Sequence, residues 1–275
     1  MEPREREIRL GGLRFHYVEW GAAGASPLVL LHGFTGHART WDDFAASMAD
    51  RFRVLALDQR GHGDSDRAPH GDYRIAAMAQ DLAAFADALC PGPFSLVGLS
   101  MGGRVAIAYA GSHAGRVERL VLVDIGPEMA PEGSARVRTM VANVPEELAS
   151  EEQAYRLLRA AAPRYSDSLI RHRVKHGFNR LPGGRLAWKY DKTLRAQAKA
   201  ERRDMSDLWP DLARIACPTL VVRGIESDVL SPQIAKRMLE TLPDGRLVEI
   251  PDASHTVPGD QPEAFLKAVR PFLES

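Results

Sequence analysis

The stretch from Phe94 to Gly103, FSLVGLSMGG, constrains this chain more than any other. A short apolar run (Phe94, Leu96, Val97, Leu99) leads into Ser100, and the helix-forming segment RVAIAYAG follows. Gly98 lies two residues before the serine and Gly102 two after, with a further Gly103. Strand, sharp turn and helix around G-x-S-x-G present a serine hydroxyl at the end of a sheet strand, on a turn too tight for side chains at the flanking positions. Taken alone, the pattern also fits a glycine turn with an incidental serine. The other loops of the chain decide between the two.

Short apolar runs suited to strands buried on both faces recur at Leu28–Leu31, Arg53–Leu57, Val117–Val123, Thr219–Arg223 and Arg246–Ile250. Helical periodicity lies between them, as in Arg74–Leu89, where Ile75, Met78, Leu82, Phe85 and Leu89 recur at spacings of three and four. Alternation of this kind predicts an α/β fold with a mainly parallel sheet covered by helices on both faces. Ile8–Trp20, punctuated by Gly11-Gly12, predicts an antiparallel hairpin at the sheet edge. From Gly126 to about Pro210 strand-like runs vanish and helical segments rich in Arg, Lys, Ala and Glu take over, interrupted by Pro131, Pro145, Pro163 and Pro182. The expected organisation is a core of residues 1–125 and 211–275 with a helical cap over 126–210.

Composition excludes several classes. At 275 residues, 45% hydrophobic and 26% charged, the chain can bury a sizeable core. Lys+Arg and Asp+Glu both number 36, so no electrostatic footprint for nucleic acid or an anionic membrane is present, and a small-molecule partner is expected. The charged start MEPREREIRL carries no secretory h-region, and no apolar run reaches membrane-spanning length, so a cytoplasmic monomer or homodimer is expected. Cys90 and Cys217 sit in no metal-binding spacing and are expected as reduced structural thiols; no metal or cofactor is called for.

In a parallel sheet the loops at the strands' carboxyl ends share one edge, which lets distant residues converge. On such loops lie Ser100, the segment His32-Gly33-Phe34-Thr35-Gly36, Asp124, the loop after Arg223, and His255 in PDASHTV. A serine hydroxyl needs a base, itself oriented by a third group, and His255 is the expected base. The amides of Phe34 and Met101 are the expected oxyanion donors. His32 is read as an orienting residue that also borders substrate. Asp58, Arg60 and His62 are expected to form a buried polar network. His16, in the edge hairpin, and His37, His70 and His113, in polar turns, are expected at the surface, as are His172 and His176 of the insertion unless they line the cap.

With LVLLHGFTG, LALDQRGHGDSD, LVGLSMGG, TLVVRG and PDASHTV in that order, the chain resembles the α/β-hydrolases, the fold shared by esterases, lactonases and carbon–carbon bond hydrolases. The likeness covers nearly everything outside the insertion. It implies the twisted, mainly parallel α/β-hydrolase sheet, the order nucleophile, acid, histidine, and a helical cap after strand six. The acid position departs from the family pattern. Three residues beyond Gly224, where the family usually places an aspartate, stands Ser227; the neighbouring carboxylate, Asp228, comes one residue late. Asp124 occupies the alternative acid position after strand six. Asp124 is therefore preferred, with Asp228 as the alternative.

The resemblance implies a cofactor-independent serine hydrolase acting on a carboxylic ester, lactone or amide. A C–C hydrolase of a vinylogous diketone, and a ligand-binding or cofactor-free oxygenase member, are the other readings. Trp188 and Tyr190 of the cap, with Phe178, Trp209 and Met140, are candidates for an acyl pocket or for core packing. Arg171, Arg173 and Lys175 offer either an acidic-substrate contact or a solvated face.

Overall fold

The computed structural model describes residues 2–199 and 207–275. Strands β1 (Arg4–Leu10) and β2 (Leu13–Trp20) form an antiparallel hairpin with Leu10 opposite Leu13. Gly11 and Gly12 between them both have positive φ, 56° and 86°, which a two-residue hairpin turn of matching twist requires. Then come β3 (Ser26–Leu31), α1 (Asp42–Met48), β4 (Phe52–Leu57), α2 (Ile75–Leu89), β5 (Phe94–Leu99), α3 (Met101–Ser112) and β6 (Val117–Val123).

Between β6 and the next strand of the main sheet lie α4 (Pro131–Asn143), β7 (Glu147–Leu148), α5 (Glu151–Ala161), α6 (Asp167–His176), β8 (Phe178–Arg180), β9 (Leu186–Trp188), α7 (Lys192–Lys199) and α8 (Trp209–Ala213). The chain closes with β10 (Thr219–Gly224), α9 (Pro232–Thr241), β11 (Gly245–Ile250), α10 (Val257–Asp260) and α11 (Pro262–Glu274).

The eight main strands run β1-β2-β4-β3-β5-β6-β10-β11, and all run in one direction except β2, which pairs antiparallel with both β1 and β4. Alternate residues of the apolar runs feed two cores, because side chains on a strand point to opposite faces. Leu96, Leu120 and Leu122 join Met78, Phe85, Tyr109 and Met238 on one face. Val97, Val121 and Val123 join Phe44, Met48, Phe265 and Val269 on the other. The runs lack polar alternation because both faces are covered.

Two features differ from expectation. The insertion is not purely helical: β7, β9 and β8 form a three-stranded antiparallel sheet around Leu148, Val174, Phe178 and Leu186. Strands of two or three residues are too short to leave a periodic signal. Residues 200–206 of the expected 126–210 cap lie outside the described residues. Secondly, His16 and His37 are buried, not at the surface. β2 is an inner strand, and His16 Nδ1 meets Asp58 Oδ2 at 2.7 Å while its Nε2 meets Glu5 Oε2 at 2.6 Å. Gly177, after α6, packs on the His37 ring.

Candidate active site

Ser100 sits between β5 and α3 with φ 52° and ψ −116°, a strained conformation for a residue with a side chain. Close packing holds it there. A Cβ on Gly98 would fall 2.5 Å from the Gly102 carbonyl oxygen, and one on Gly102 would fall 2.5 Å from that of Leu31. The Ser100 amide donates to the Val123 carbonyl at 3.1 Å, and the Gly103 and Arg104 amides donate back to the Ser100 carbonyl. Strain at this turn aims the hydroxyl away from the helix and off the end of the sheet.

His255 Nε2 lies 2.9 Å from Ser100 Oγ, and His255 Nδ1 lies 2.9 Å from Asp124 Oδ2. Asp124 is fully buried at the end of β6, also at positive φ (50°). Its Oδ1 accepts the Gly224 amide at 2.9 Å, and its Oδ2 accepts a second hydrogen bond, from the Ser227 hydroxyl. Three donors thus meet a carboxylate that has no contact with water, which offsets the cost of burying its charge. Asp228 faces elsewhere: its carboxylate is gripped at 2.5 and 2.7 Å by the guanidinium of Arg136 on α4, which holds it below the usual carboxylate range. The single-residue offset puts Ser227 inward and Asp228 outward.

The loop after β3 passes directly against the nucleophile turn, since a Cβ on Gly33 would come 3.3 Å from Ser100 Cβ. Phe34 follows it, and Met101 opens α3, where first-turn amides have no partner within the helix. His32 anchors this loop. Its Nε2 accepts the Gln59 amide at 3.1 Å, leaving Nδ1–H to donate to the Gly33 carbonyl at 2.8 Å. Burial lowers its pKa and keeps the ring neutral. Both ring nitrogens of His32 are thus engaged within the protein.

The expected polar network around Asp58 forms only in part. Asp58 accepts the Ala38 amide at 2.5 Å, the Asp64 amide at 2.9 Å and the His16 ring. Burial would raise its carboxyl, but the bond and charge of His16 outweigh this and hold it at about 2. His62 packs edge-on to Phe34, with ring centres 6.1 Å apart, and burial pushes its pKa down to about 3. Arg60 belongs to a separate pair with Asp81, at 2.5 and 2.7 Å. His16, Asp58 and Asp64 bring ligand atoms within 4.8 Å of one another, yet these atoms already serve the His16–Asp58 pair and the Lys189–Asp64 pair.

A cavity of about 430 Å³ is lined by Leu99 and Thr256, the chain neighbours of Ser100 and His255, and by Trp41, Phe44, Leu169 and Phe265. Trp188 and Tyr190 are not among its walls. Trp188 donates from Nε1 to the Pro145 carbonyl at 2.9 Å and stacks on Phe178, sealing the small sheet. The buried Tyr190 receives Arg195 at its hydroxyl. Both border a separate polar pocket of about 210 Å³ with Asp64 and Lys189. Among the other candidates, Trp209 lies under Arg237, Met140 is exposed, Arg171 pairs with Asp167, and Arg173 donates to the Tyr165 hydroxyl. Cys90 and Cys217 are free thiols, and no described helix is long and apolar enough to cross a membrane.

The family model described as "Alpha/beta hydrolase family" matches residues 28–268. The chain belongs to this family. It is 32% identical to Esterase Rv0045c of Mycobacterium tuberculosis, over 99% of this chain and 90% of that protein. It is 31% identical to the mouse (Mus musculus) sn-1-specific diacylglycerol lipase ABHD11, over 92% of this chain and 82% of that one. The crystal structure of E-2-(acetamidomethylene)succinate hydrolase superposes with a TM-score of 0.91 at 27% identity, covering 100% of both chains. In this α/β-hydrolase the hydrogen-bonded set Ser100, Asp124 and His255 comes from the turn after β5, the end of β6 and the loop after β11.

Proposed function

We propose that this α/β-hydrolase cleaves carboxylic esters of small molecules through an acyl-enzyme, with Ser100 as nucleophile, His255 as base and Asp124 as the group that orients His255. The observation that carries this reading is the continuous hydrogen-bonded relay, 2.9 Å from Ser100 Oγ to His255 Nε2 and 2.9 Å from His255 Nδ1 to Asp124 Oδ2. Similarity to a named esterase and a named lipase supports ester chemistry.

In the first half-reaction His255 Nε2 takes the Ser100 proton as Oγ attacks the ester carbonyl carbon. Negative charge gathers on the carbonyl oxygen, where the amides of Phe34 and Met101 donate to it. The C–O bond to the alcohol then breaks, and His255 returns its proton to the departing alkoxide. In the second half, water gives a proton to His255 and its oxygen attacks the acyl carbon; collapse releases the acid and restores Ser100. Asp124 stays ionised throughout and stabilises the imidazolium formed in each half. Every proton in the cycle is carried by the histidine, the serine or water. The described residues of the 126–210 insertion act as the cap that bounds the substrate space.

Hydrolysis of p-nitrophenyl esters by the wild-type protein and by Ser100→Ala tests this. Turnover by the wild type and its loss by several orders of magnitude in Ser100→Ala is expected. Equal rates in both, or no turnover of any ester by the wild type, would contradict it.

A further inference from the structure

His255 sits on an irregular stretch, residues 251–256, between β11 and α10. Such a segment has no ladder of its own, so the place of the imidazole depends on where the backbone groups around it are bonded. The margin is small. His255 Nε2 and Nδ1 each meet their partner at 2.9 Å, and a hydrogen bond is lost beyond about 3.5 Å. A shift of less than about 1 Å therefore breaks both contacts.

One side of the loop is pinned from the end of β10. The Glu226 amide donates to the Ala253 carbonyl at 3.0 Å. Gly224 lies directly against the Ser254 and Ala253 carbonyl oxygens, which a Cβ there would approach to 2.3 and 2.5 Å.

Asp260 holds the other side. It is buried, at the end of α10. Its Oδ2 accepts the Ser254 amide at 2.8 Å and the Ser254 hydroxyl at 2.5 Å. Its main-chain amide donates to the Thr256 carbonyl at 3.0 Å, beside that of Gly259 at 2.9 Å. A single residue thus grips the residue before His255 through its carboxylate and the residue after it through its backbone. Bonds to an ionised acceptor are roughly twice as strong as neutral ones, and burial strengthens them further. The insertion covers the same turn, since a Cβ on Gly259 would fall 2.2 Å from the Tyr165 ring.

We propose that Asp260 is a positioning residue for His255: by clamping Ser254 and Thr256 it keeps Nε2 within hydrogen-bond reach of Ser100 Oγ. Its effect on turnover rests on the ester-hydrolase reading. Without the carboxylate the Ser254 amide and hydroxyl lose their acceptor and the loop drifts, and a misplacement of about 1 Å costs on the order of 10²-fold in rate.

Steady-state kinetics on p-nitrophenyl acetate test this in Asp260→Ala, Asp260→Asn and Leu82→Ala. Leu82→Ala is a core truncation on α2, on the opposite face of the sheet from α10, and reports what lost stability alone does. In Asp260→Ala, kcat is expected to fall on the order of 10²-fold with KM within about threefold of wild type. Asp260→Asn, which keeps an acceptor for the Ser254 amide, is expected to recover about tenfold of that loss. Leu82→Ala is expected to lower Tm at least as far as Asp260→Ala while kcat stays within about threefold. A kcat in Asp260→Ala no lower than in Leu82→Ala, or no recovery in Asp260→Asn, would overturn the proposal.

A second measurement needs no turnover and so separates this proposal from the hydrolase reading. The low-field proton NMR signal of His255 Nδ1–H, bonded to Asp124 and assigned by its loss in His255→Asn, reports how firmly the ring is held. In folded Asp260→Ala it is expected to broaden or vanish through exchange with water, and to persist in Leu82→Ala. That result supports the proposal even if no ester is cleaved. An unchanged signal in Asp260→Ala, or no signal in the wild type, overturns it even if esters are.

Discussion

Ser227 Oγ donates its proton to Asp124 Oδ2, the carboxylate oxygen that also meets His255 Nδ1. The direction of this bond is determined by its surroundings. The Val229 and Leu230 amides point at the same hydroxyl, at 3.1 and 3.4 Å, and fill its acceptor positions, leaving only its hydrogen for Asp124. Under the proposed mechanism Ser227 is a positioning residue behind Asp124. A hydrogen bond to a buried charged group is worth about 1.5–3 kcal/mol, so Ser227→Ala is expected to lower kcat roughly tenfold with little change in KM. Ser227→Thr, which keeps the hydroxyl, is expected to recover most of that loss. Steady-state kinetics on one ester checks both; a purely structural serine would predict no rescue by threonine.

The two aspartates should separate cleanly. Asp124→Asn leaves the carboxylate's place filled but removes the charge that stabilises the imidazolium, and a loss of kcat on the order of 10⁴ is expected. Asp228→Asn breaks only the partly exposed pair with Arg136, so activity within about threefold of wild type and a stability change below about 1 kcal/mol are expected. Parallel kinetics and urea unfolding of the two variants make the comparison.

Acid should destabilise the fold well above the carboxylate range. His32, His37 and His62 are buried neutral, with burial depressing all three and His62 reaching about 3. The unfolded chain takes up their protons near 6.5 while the folded one does not, so their stability contribution is present above pH 6.5 and is lost as pH falls toward 3. His62 alone is expected to cost about 2 kcal/mol between pH 7.5 and 5. His16 works the other way. Although burial opposes its charge, Asp58 and Glu5 raise its pKa, and its contribution is lost as pH rises through that value. Urea midpoints at pH 7.5 and 5 should show a net fall, and His62→Phe should flatten it.

Much of the architecture was legible because the chemistry is local. Apolar runs at Leu28–Leu31 and Val117–Val123 have no polar alternation, and that can only mean strands covered on both sides. Gly98 and Gly102 around Ser100 announce a turn that a side chain would block. The preference for Asp124 over Asp228 as the proposed acid rests on Ser227, not an aspartate, standing three residues beyond Gly224. What stayed hidden depends on contacts between distant segments. That Ser227 itself serves the acid follows from a hydroxyl 103 residues away from Asp124. Trp188 and Tyr190 suit either an acyl pocket or core packing in sequence, and only the structure shows Trp188 stacked on Phe178 and Tyr190 receiving Arg195. The cavity lined by Leu99 and Thr256 is assembled largely from α1, α6, α10 and α11, whose apolar residues read in sequence as ordinary core.

The glycines of the nucleophile turn should be intolerant for a steric reason. A Cβ at Gly102 would lie 2.5 Å from the Leu31 carbonyl oxygen at the end of β3 and 2.7 Å from that of His32 in the loop that follows. Gly102→Ala is expected to cost about 1–3 kcal/mol, lowering Tm and moving the loop that carries Phe34. Thermal unfolding together with ester kinetics checks this, and activity should fall further than stability alone explains.

The central claim is that Ser100 is a nucleophile activated by His255. A fluorophosphonate probe reacts with a serine that is deprotonated as it attacks, and intact-mass spectrometry with peptide mapping reads where the adduct forms. A single adduct on Ser100 is expected, formed at least 10³-fold more slowly in His255→Asn and absent in Ser100→Ala. An adduct on another residue, or labelling of Ser100 at the same rate without His255, would contradict it.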